Sequence, residues 1–181
     1  MTVEVLLTFL SASILLTLVP GPDNVFVLTQ GALYGRKAGI VVTFGLCTGL
    51  IFHTTIAVLG ISSVFLMSSV AFLALKLFGA AYLLYLAWGA WHASNSTELD
   101  RQAPRLTDLQ LYRRGILMNI TNPKVGIFFI AFLPQFVQPE AGAVSFQLLT
   151  LAAVFFLQVI VIFSGFALLA SQLAGWFRHS S

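Results

Sequence analysis

The chain has 181 residues, of which 59% are hydrophobic and 8% are charged, and its formal net charge is +3. A soluble globular domain carries about 25% charged residues, so this composition excludes a soluble fold. The apolar surface is therefore expected to face a lipid bilayer. The basic residues lie in short loops between apolar segments, which indicates orientation in a membrane and not a nucleic-acid partner.

Five apolar segments follow one another along the chain and predict an all-α, multi-pass helical bundle in a single domain, residues 1–181. The segments are 5–34, 38–65, 71–91, 115–137 and 144–176. No basic residue precedes the first segment, so we expect a retained span and not a signal peptide. The second contains a turn-like sequence at 60–63, and a long polar stretch, 92–114, separates the third from the fourth.

Lysine and arginine fall in only one of the two sets of loops that five spans create. These loop cations are Arg36, Lys37, Arg101, Arg105, Arg113, Arg114 and Arg178. Because positively charged loops stay in the cytoplasm, we expect their side to be cytoplasmic and the N-terminus to be outside. Of the two cations inside apolar segments, Lys76 lies near a segment end and is expected to snorkel to the interface, whereas Lys124 does not.

Small residues and the single cysteine predict packing. Gly31 with Gly35, and Gly45 with Gly49, are spaced four apart, which lets helices approach closely in lipid and permits a homodimer. Cys47 lies in an apolar stretch and is expected to be buried. The membrane segments offer one cysteine, one histidine and one aspartate, widely separated, so we expect no metal site and no cofactor.

The first apolar segment is broken by the run Pro20-Gly21-Pro22-Asp23-Asn24. Proline removes a backbone donor and clashes with the preceding turn, so the two prolines and the glycine between them are expected to stop one half-helix. Asp23 or Asn24 is then expected to cap a second half-helix that starts near Val25. In lipid such a break belongs in the protein interior or beside water, which indicates a functional role for its polar residues.

The fourth segment is broken at Asn122, which suits an N-cap, followed by Pro123 at the first helical position and by Lys124. Both breaks therefore place the N-terminus of a half-helix within the membrane, where about half a positive charge and free N–H groups suit a carboxylate. Lys124 adds a full positive charge and Asp23 the opposite charge, so a zwitterion is the natural ligand. Asn119, about one turn earlier, is expected either to share this site or to bond a neighbouring helix.

The residues leave several alternatives open. The first run can be only a kink, with Asp23 paired to Lys124. His53, in the second segment, is either a proton carrier or a hydrogen-bonded structural residue. The chain as a whole can be an exporter of another small solute or a metal cation, or a membrane protein without transport. An intramembrane enzyme is disfavoured, because the sequence has no HExxH helix, no GxSxG elbow and no paired intramembrane aspartates.

The ordered set of these motifs resembles the LysE/RhtB-type amino-acid exporters. The resemblance extends from residue 5 to about residue 170 and rests on five runs, together with Gly45 and Gly49 in the second segment. They are Pro20 to Asn24, Gly35-Arg36-Lys37-Ala38-Gly39, Gly79-Ala80-Ala81-Tyr82-Leu83, and Asn119 to Lys124 with the following Phe132-Leu133-Pro134-Gln135-Phe136. It implies a bacterial inner-membrane exporter of amino acids, neutral ones such as homoserine, threonine or leucine, working by proton antiport.

The resemblance also implies six helices in a 3+3 inverted repeat, with substrate and coupling residues at the two breaks. Asp23 is the first candidate for the coupling residue, and His53 and Gln135 are further candidate site residues. The family's sixth helix is expected after the basic loop that begins near Arg178, so we expect this chain to lack it.

Overall fold

The computed structural model describes residues 1–61, 69–92 and 105–179. Nearly all of these residues are helical, and none of the described residues forms a β-strand. The α-helices are α1 Val3–Leu18, α2 Pro22–Tyr34, α3 Arg36–Ile56, α4 Ser69–Trp91, α5 Asp108–Thr121, α6 Pro123–Ile127 and α7 Val144–His179. A π-helical turn, Ala57–Ile61, extends α3, and a π-helical segment Phe128–Phe132 with a 3₁₀ segment Leu133–Phe136 extends α6.

Two stretches of helix in the described part are long and apolar enough to cross a bilayer alone, Arg36–Gly60 and Val144–Phe177. Two bent pairs meet the same criterion together: α1 with α2, bent by 64°, and α5 with Pro123–Phe136, bent by 51°. These amount to two candidate spans, or up to four if each bent pair is one span. The predicted all-α, multi-pass membrane fold with two proline-broken helices is confirmed.

Helix α4 occupies the third predicted segment. Its 23 residues correspond to a length of about 35 Å, which exceeds the hydrocarbon core of a bilayer. The side chain of Lys76, predicted to snorkel, lies outside the part of the chain that the structure describes.

The break between α1 and α2 differs in detail from the prediction. Helix α2 begins at Pro22 with Gly21 as its N-cap, so neither Asp23 nor Asn24 caps it and both lie in its first turn. The reason is that proline suits the first helical position, where its missing N–H would be unpaired in any case. Asn24 instead turns back to α1, where its Nδ2 donates to the Thr17 carbonyl oxygen at 2.6 Å.

The break between α5 and α6 follows the prediction. Asn122 is the N-cap of α6, and its Oδ1 accepts from the Lys124 backbone N–H at 3.0 Å. Pro123 occupies the first helical position. The two breaks therefore start their second half-helices in the same way, with proline first.

Two predicted loops are partly helical. Gly60 and Ile61 continue α3 as π-helix, and the rest of that turn-like sequence lies outside the described residues. The second part of the polar stretch 92–114 is the start of α5, because Thr107 and Gln110 form a capping box there. The sequence analysis therefore missed this helix start, because the stretch is polar in composition.

Glycines set the close approach of the long helices. A Cβ at Gly45 would collide with the Tyr112 carbonyl oxygen, and one at Gly49 would lie 2.7 Å from the Asn119 Cβ, so α3 packs directly on α5. Residue numbers rise together along this contact, so the two helices run parallel. A Cβ at Gly31 would lie 2.9 Å from the Ala167 carbonyl oxygen, which joins α2 to α7.

The packing predicted for Gly31, Gly45 and Gly49 is therefore confirmed, and the packing predicted for Gly35 is wrong. Gly35 has φ +90 and open space around it, because it forms the turn between α2 and α3. A positive φ favours glycine, which has no Cβ to clash with the backbone.

The charged loops separate between the two ends of the bundle. Lys37, at the start of α3, forms an ion pair with Asp108, at the start of α5. Helix α7 runs antiparallel to α3, since Ala167 lies beside Gly39 while Leu149 and Ile51 line one groove further along. The C-terminal end of α7 thus lies at the Lys37 end, called here the cationic end.

At the opposite end lie Glu140, just before the start of α7, and Glu4 near the start of α1. Phe9 of α1 joins Phe136 there in an edge-on contact, with ring centroids 5.2 Å apart. This end is called the acidic end. Of the predicted loop cations, Lys37 and Arg105 lie at the cationic end, beside Asp108 and Tyr34. Arg113 and Arg114 lie inside α5 and not in a loop, and Arg101 and the side chain of Arg178 are outside the described part.

Candidate functional site

The two helix breaks meet in the middle of the bundle through Lys124. This lysine is 6% exposed, and its Nζ donates to the Val19 carbonyl oxygen at 3.0 Å, the Leu16 carbonyl oxygen at 3.5 Å and Asn24 Oδ1 at 3.4 Å. A helix that stops leaves its last carbonyl groups without intrahelical partners. An ammonium group from the second break therefore satisfies the carbonyl groups that the first break exposes.

Asp23 provides the opposite charge on α2 and is 2% exposed. Its Oδ2 accepts from Asn119 Nδ2 at 3.5 Å, and its Oδ1 accepts no hydrogen bond from any described residue. Among the residues that the structure describes, the one ion pair within 4 Å is that of Lys37 with Asp108. Asp23 and Lys124 thus attract each other without direct contact, and the alternative of a simple ion pair is wrong.

His53 supports the end of α5. Its Nε2 lies 3.0 Å from the Asn119 carbonyl oxygen, which also accepts from the Asn122 backbone N–H at 3.0 Å. A carbonyl oxygen can only accept, so Nε2 carries the hydrogen. The ring packs beside Gly126, where an added Cβ would be 3.5 Å from Cε1, and near Phe129. His53 therefore makes the hydrogen bond expected of a structural residue, and it does so within the site.

These groups lie around a small cavity of about 20 Å³. Its polar lining consists of Thr17, Asp23, Asn119 and Lys124, and its apolar lining of Leu16, Leu50, Val125, Phe155, Val159 and Phe163. A water molecule needs about 10–15 Å³ on this measure, so the cavity has room for about one water. Any larger ligand therefore requires the surrounding helices to separate.

The predicted site residues divide into three groups. Asp23, Asn24, Asn119, Asn122 and Lys124 are buried together, with His53 beside them. The three prolines of the breaks, Pro20, Pro22 and Pro123, are exposed, so they shape the backbone, while Gly21 leaves space that Lys124 fills at 3.1 Å from its missing Cβ. Gln135 lies apart: it is exposed, and its Nε2 donates to the Ala131 carbonyl oxygen in its own helical segment at 2.9 Å.

Two polar residues of this centre escaped the sequence analysis. Thr17 lines the cavity, and Gln158 of α7 donates from Nε2 to Thr17 Oγ1 at 2.9 Å. A glutamine in the middle of a long apolar segment is a usable signal for Gln158. Thr17 has no such signal, because threonine is ordinary in membrane helices, where its hydroxyl bonds the preceding turn, as it does here to the Ser13 carbonyl oxygen.

A larger groove of about 530 Å³ lies between the end of α3 and the start of α7. Thr54 and Thr55 are its polar lining residues, and each hydroxyl bonds a carbonyl of its own helix. The charged chemistry of the described part is therefore concentrated in the small cavity and not in the large groove.

Comparison with known proteins gives a consistent result. Residues 14–181 match the family described as LysE type translocator. The chain is 33% identical over 178 residues to a homoserine/homoserine lactone efflux protein of Salmonella typhimurium strain LT2, covering 98% of this chain and 86% of that protein. It is 29% identical over 167 residues to a leucine efflux protein of Enterobacter sp. strain 638, covering 87% and 78% of the two chains.

An uncharacterized membrane protein of Bacillus subtilis strain 168 is also similar, with 31% identity over 184 residues, 97% of this chain and 87% of that protein. No solved structure matches. The family match spans most of the chain and agrees with a helical membrane bundle that holds opposite charges at two broken helices. The chain is a membrane transporter, not an enzyme, and belongs to the LysE-type translocator family.

Proposed function

We propose that this protein is a single-domain secondary transporter that exports neutral amino acids across the bacterial inner membrane by proton antiport. The observation that carries the proposal is the burial of Asp23 and Lys124, without direct contact, around one cavity at the meeting point of two helix breaks. Broken helices at membrane depth are typical of transporter binding sites. The relatives named as homoserine and leucine efflux proteins support an uncharged substrate side chain.

The site offers complementary groups for both ends of a zwitterion. A substrate ammonium group finds the Asp23 carboxylate and the Asn119 Oδ1, which accepts no hydrogen bond from any described residue. A substrate carboxylate finds the Lys124 ammonium group, which it would share with the carbonyl oxygens at the end of α1. Among the described residues no further charged side chain lines the cavity, so a charged substrate side chain would be buried without a partner there at high cost.

Antiport follows from competition at one carboxylate. Asp23 can bind a substrate ammonium group or a proton, and either one neutralises it inside a low-dielectric interior. If the substrate-free transporter switches from its outward-facing back to its inward-facing state only with Asp23 protonated, each export event is linked to proton entry. The cavity of about 20 Å³ is too small for an amino acid, so a substrate can bind only after a change of conformation, which supports alternating access.

The test is transport into proteoliposomes under an imposed pH gradient, with radiolabelled homoserine and leucine as probes. We expect Asp23→Asn to abolish gradient-driven accumulation, to about a tenth of the unmodified rate or less, and to weaken substrate exchange without a gradient as well, because the amide carries no negative charge for the substrate ammonium group. Glu140→Gln, an exposed acidic residue at the acidic end, is the matched control and should change neither activity.

Two results would contradict the proposal at different levels. Gradient-driven accumulation by Asp23→Asn at the unmodified rate would remove Asp23 from the coupling role. Failure of the unmodified protein to move any amino acid of a neutral panel would overturn the substrate class.

A further inference from the structure

Gln158 is a buried polar residue of α7 whose side-chain amide is hydrogen-bonded to the described residues through its nitrogen but not through its oxygen. It is 7% exposed, and its Nε2 donates to Thr17 Oγ1 at 2.9 Å. Its Oε1 accepts no hydrogen bond from any residue that the structure describes. A buried acceptor without a partner destabilises a fold, so packing alone favours an apolar residue here.

The other buried glutamine of α7, Gln147, shows what a structural glutamine does. Its Nε2 donates to the Gln138 and Gly142 carbonyl oxygens at 2.8 and 3.1 Å, and its Oε1 accepts from the Gln138 backbone N–H at 3.0 Å. Both ends of that amide are satisfied, and they hold the turn before α7. Gln158 has no comparable structural task for its oxygen.

Gln158 does not itself line the cavity, but it lies directly behind residues that do. Its partner Thr17 lines the cavity, and so do Phe155 and Val159, one turn before it and the next residue after it on α7. The charged side chains that suit the ammonium and carboxylate groups of an amino acid are Asp23 on α2 and Lys124 on α6. The α7 wall, apolar at Phe155, Val159 and Phe163, is therefore left to meet the side chain of the substrate.

We propose that Gln158 is a specificity-determining residue, whose Oε1 accepts a hydrogen bond from a hydroxyl group on the substrate side chain. This inference rests on the proposed function. A substrate with a methyl group in place of that hydroxyl leaves the oxygen unpaired, and sites built to bond a hydroxyl reject such analogues. The hydrogen bond to Thr17 holds the amide plane, so the oxygen is kept toward one position.

The experiment compares homoserine with norvaline, which carries a methyl group where homoserine has its hydroxyl. Initial export rates of the two are measured in the same preparation, and their ratio is independent of the amount of folded protein. We expect the unmodified protein to favour homoserine by about tenfold, and Gln158→Leu to bring the ratio near one while norvaline export is retained. Gln147→Leu is the matched control and should keep the unmodified ratio.

Gln158→Met, a second apolar side chain of similar length, guards against a packing defect specific to leucine. An unchanged ratio in both variants would overturn the role of Gln158. So would loss of export of both amino acids in both variants, because a selectivity residue must leave norvaline transport intact. If the unmodified protein exports neither amino acid, the proposed function itself fails, and that result is distinct from an unchanged ratio.

Discussion

At the scale of single residues, Lys124 links the two broken helices. A buried ammonium group without partners would be very costly, and here it is matched with the carbonyl oxygens that the end of α1 leaves free. The same contacts bear on Gly21, since a Cβ there would lie 3.1 Å from Lys124 Nζ and would crowd the ammonium group. One lysine therefore has a structural role and, under the proposed function, a binding role.

We predict that Lys124→Met lowers the free energy of unfolding in detergent by about 2–3 kcal/mol, because it leaves buried carbonyl oxygens without a charged donor. Amino-acid export should be lost as well. Lys37→Met is the matched control: its side chain is 78% exposed, and a surface ion pair contributes about 0–1 kcal/mol. Equal effects of the two substitutions on unfolding would contradict the structural role of Lys124.

Some residue roles were accessible from the sequence and others were not. The Asn122-Pro123-Lys124 helix start was predicted correctly because capping depends on local spacing. The cap predicted at Asp23 or Asn24 was wrong because Pro22 competes for the same helix start. The bond from Gln158 to Thr17 joins residues 141 positions apart, and no local pattern indicates it.

At the scale of helices, α3 is the element against which the second half of the chain packs. Gly45 and Gly49 present a smooth face to α5, with Gly115 of α5 opposite Gly45. Small residues of this kind allow membrane helices to approach until their backbones are in contact. Because Asn119 lies at the end of this contact, the packing also sets the position of one partner of Asp23.

We predict that Gly45→Ala lowers the thermal unfolding temperature in detergent and the yield of folded protein, because the new methyl group collides with the Tyr112 carbonyl oxygen. Gly165→Ala on α7 is the control, since open space surrounds that position. It should leave stability unchanged or slightly higher, as alanine favours helix. A Gly45→Ala protein as stable as the control would show that α3 and α5 are not in close contact.

At the scale of the whole molecule, charge separates the two ends of the bundle. The described loop cations lie at the cationic end and Glu4 and Glu140 at the acidic end. Between the two ends, six phenylalanine rings pack together on the acidic side of the polar centre. They are Phe9, Phe128, Phe129, Phe132, Phe136 and Phe155. Phe155 both lines the cavity and stacks on Phe128 at 4.8 Å, so opening toward that end must separate these rings.

The positive-inside rule predicts a cytoplasmic cationic end. In a Cys47→Ser background, Glu140→Cys should react with a membrane-impermeant maleimide in intact cells, whereas Lys37→Cys should react only after permeabilisation. Cys47 is buried, 1% exposed, so the unmodified protein should give little background. The reverse labelling pattern would contradict the predicted orientation.

The sequence alone determined that this protein is a helical membrane protein, where its helices break, which loops carry the cations and which family it resembles. Those properties depend on composition and short-range spacing, because lipid favours apolar segments and neighbouring residues along the backbone decide where a helix starts or breaks. Only the tertiary structure decided that the two breaks meet, because the Lys124 contacts to α1 span more than 100 positions in the chain. It also decided that Gln135 lies apart, that Gly35 forms a turn and that Thr17 and Gln158 join the site, since long-range packing selects which polar residues share one interior.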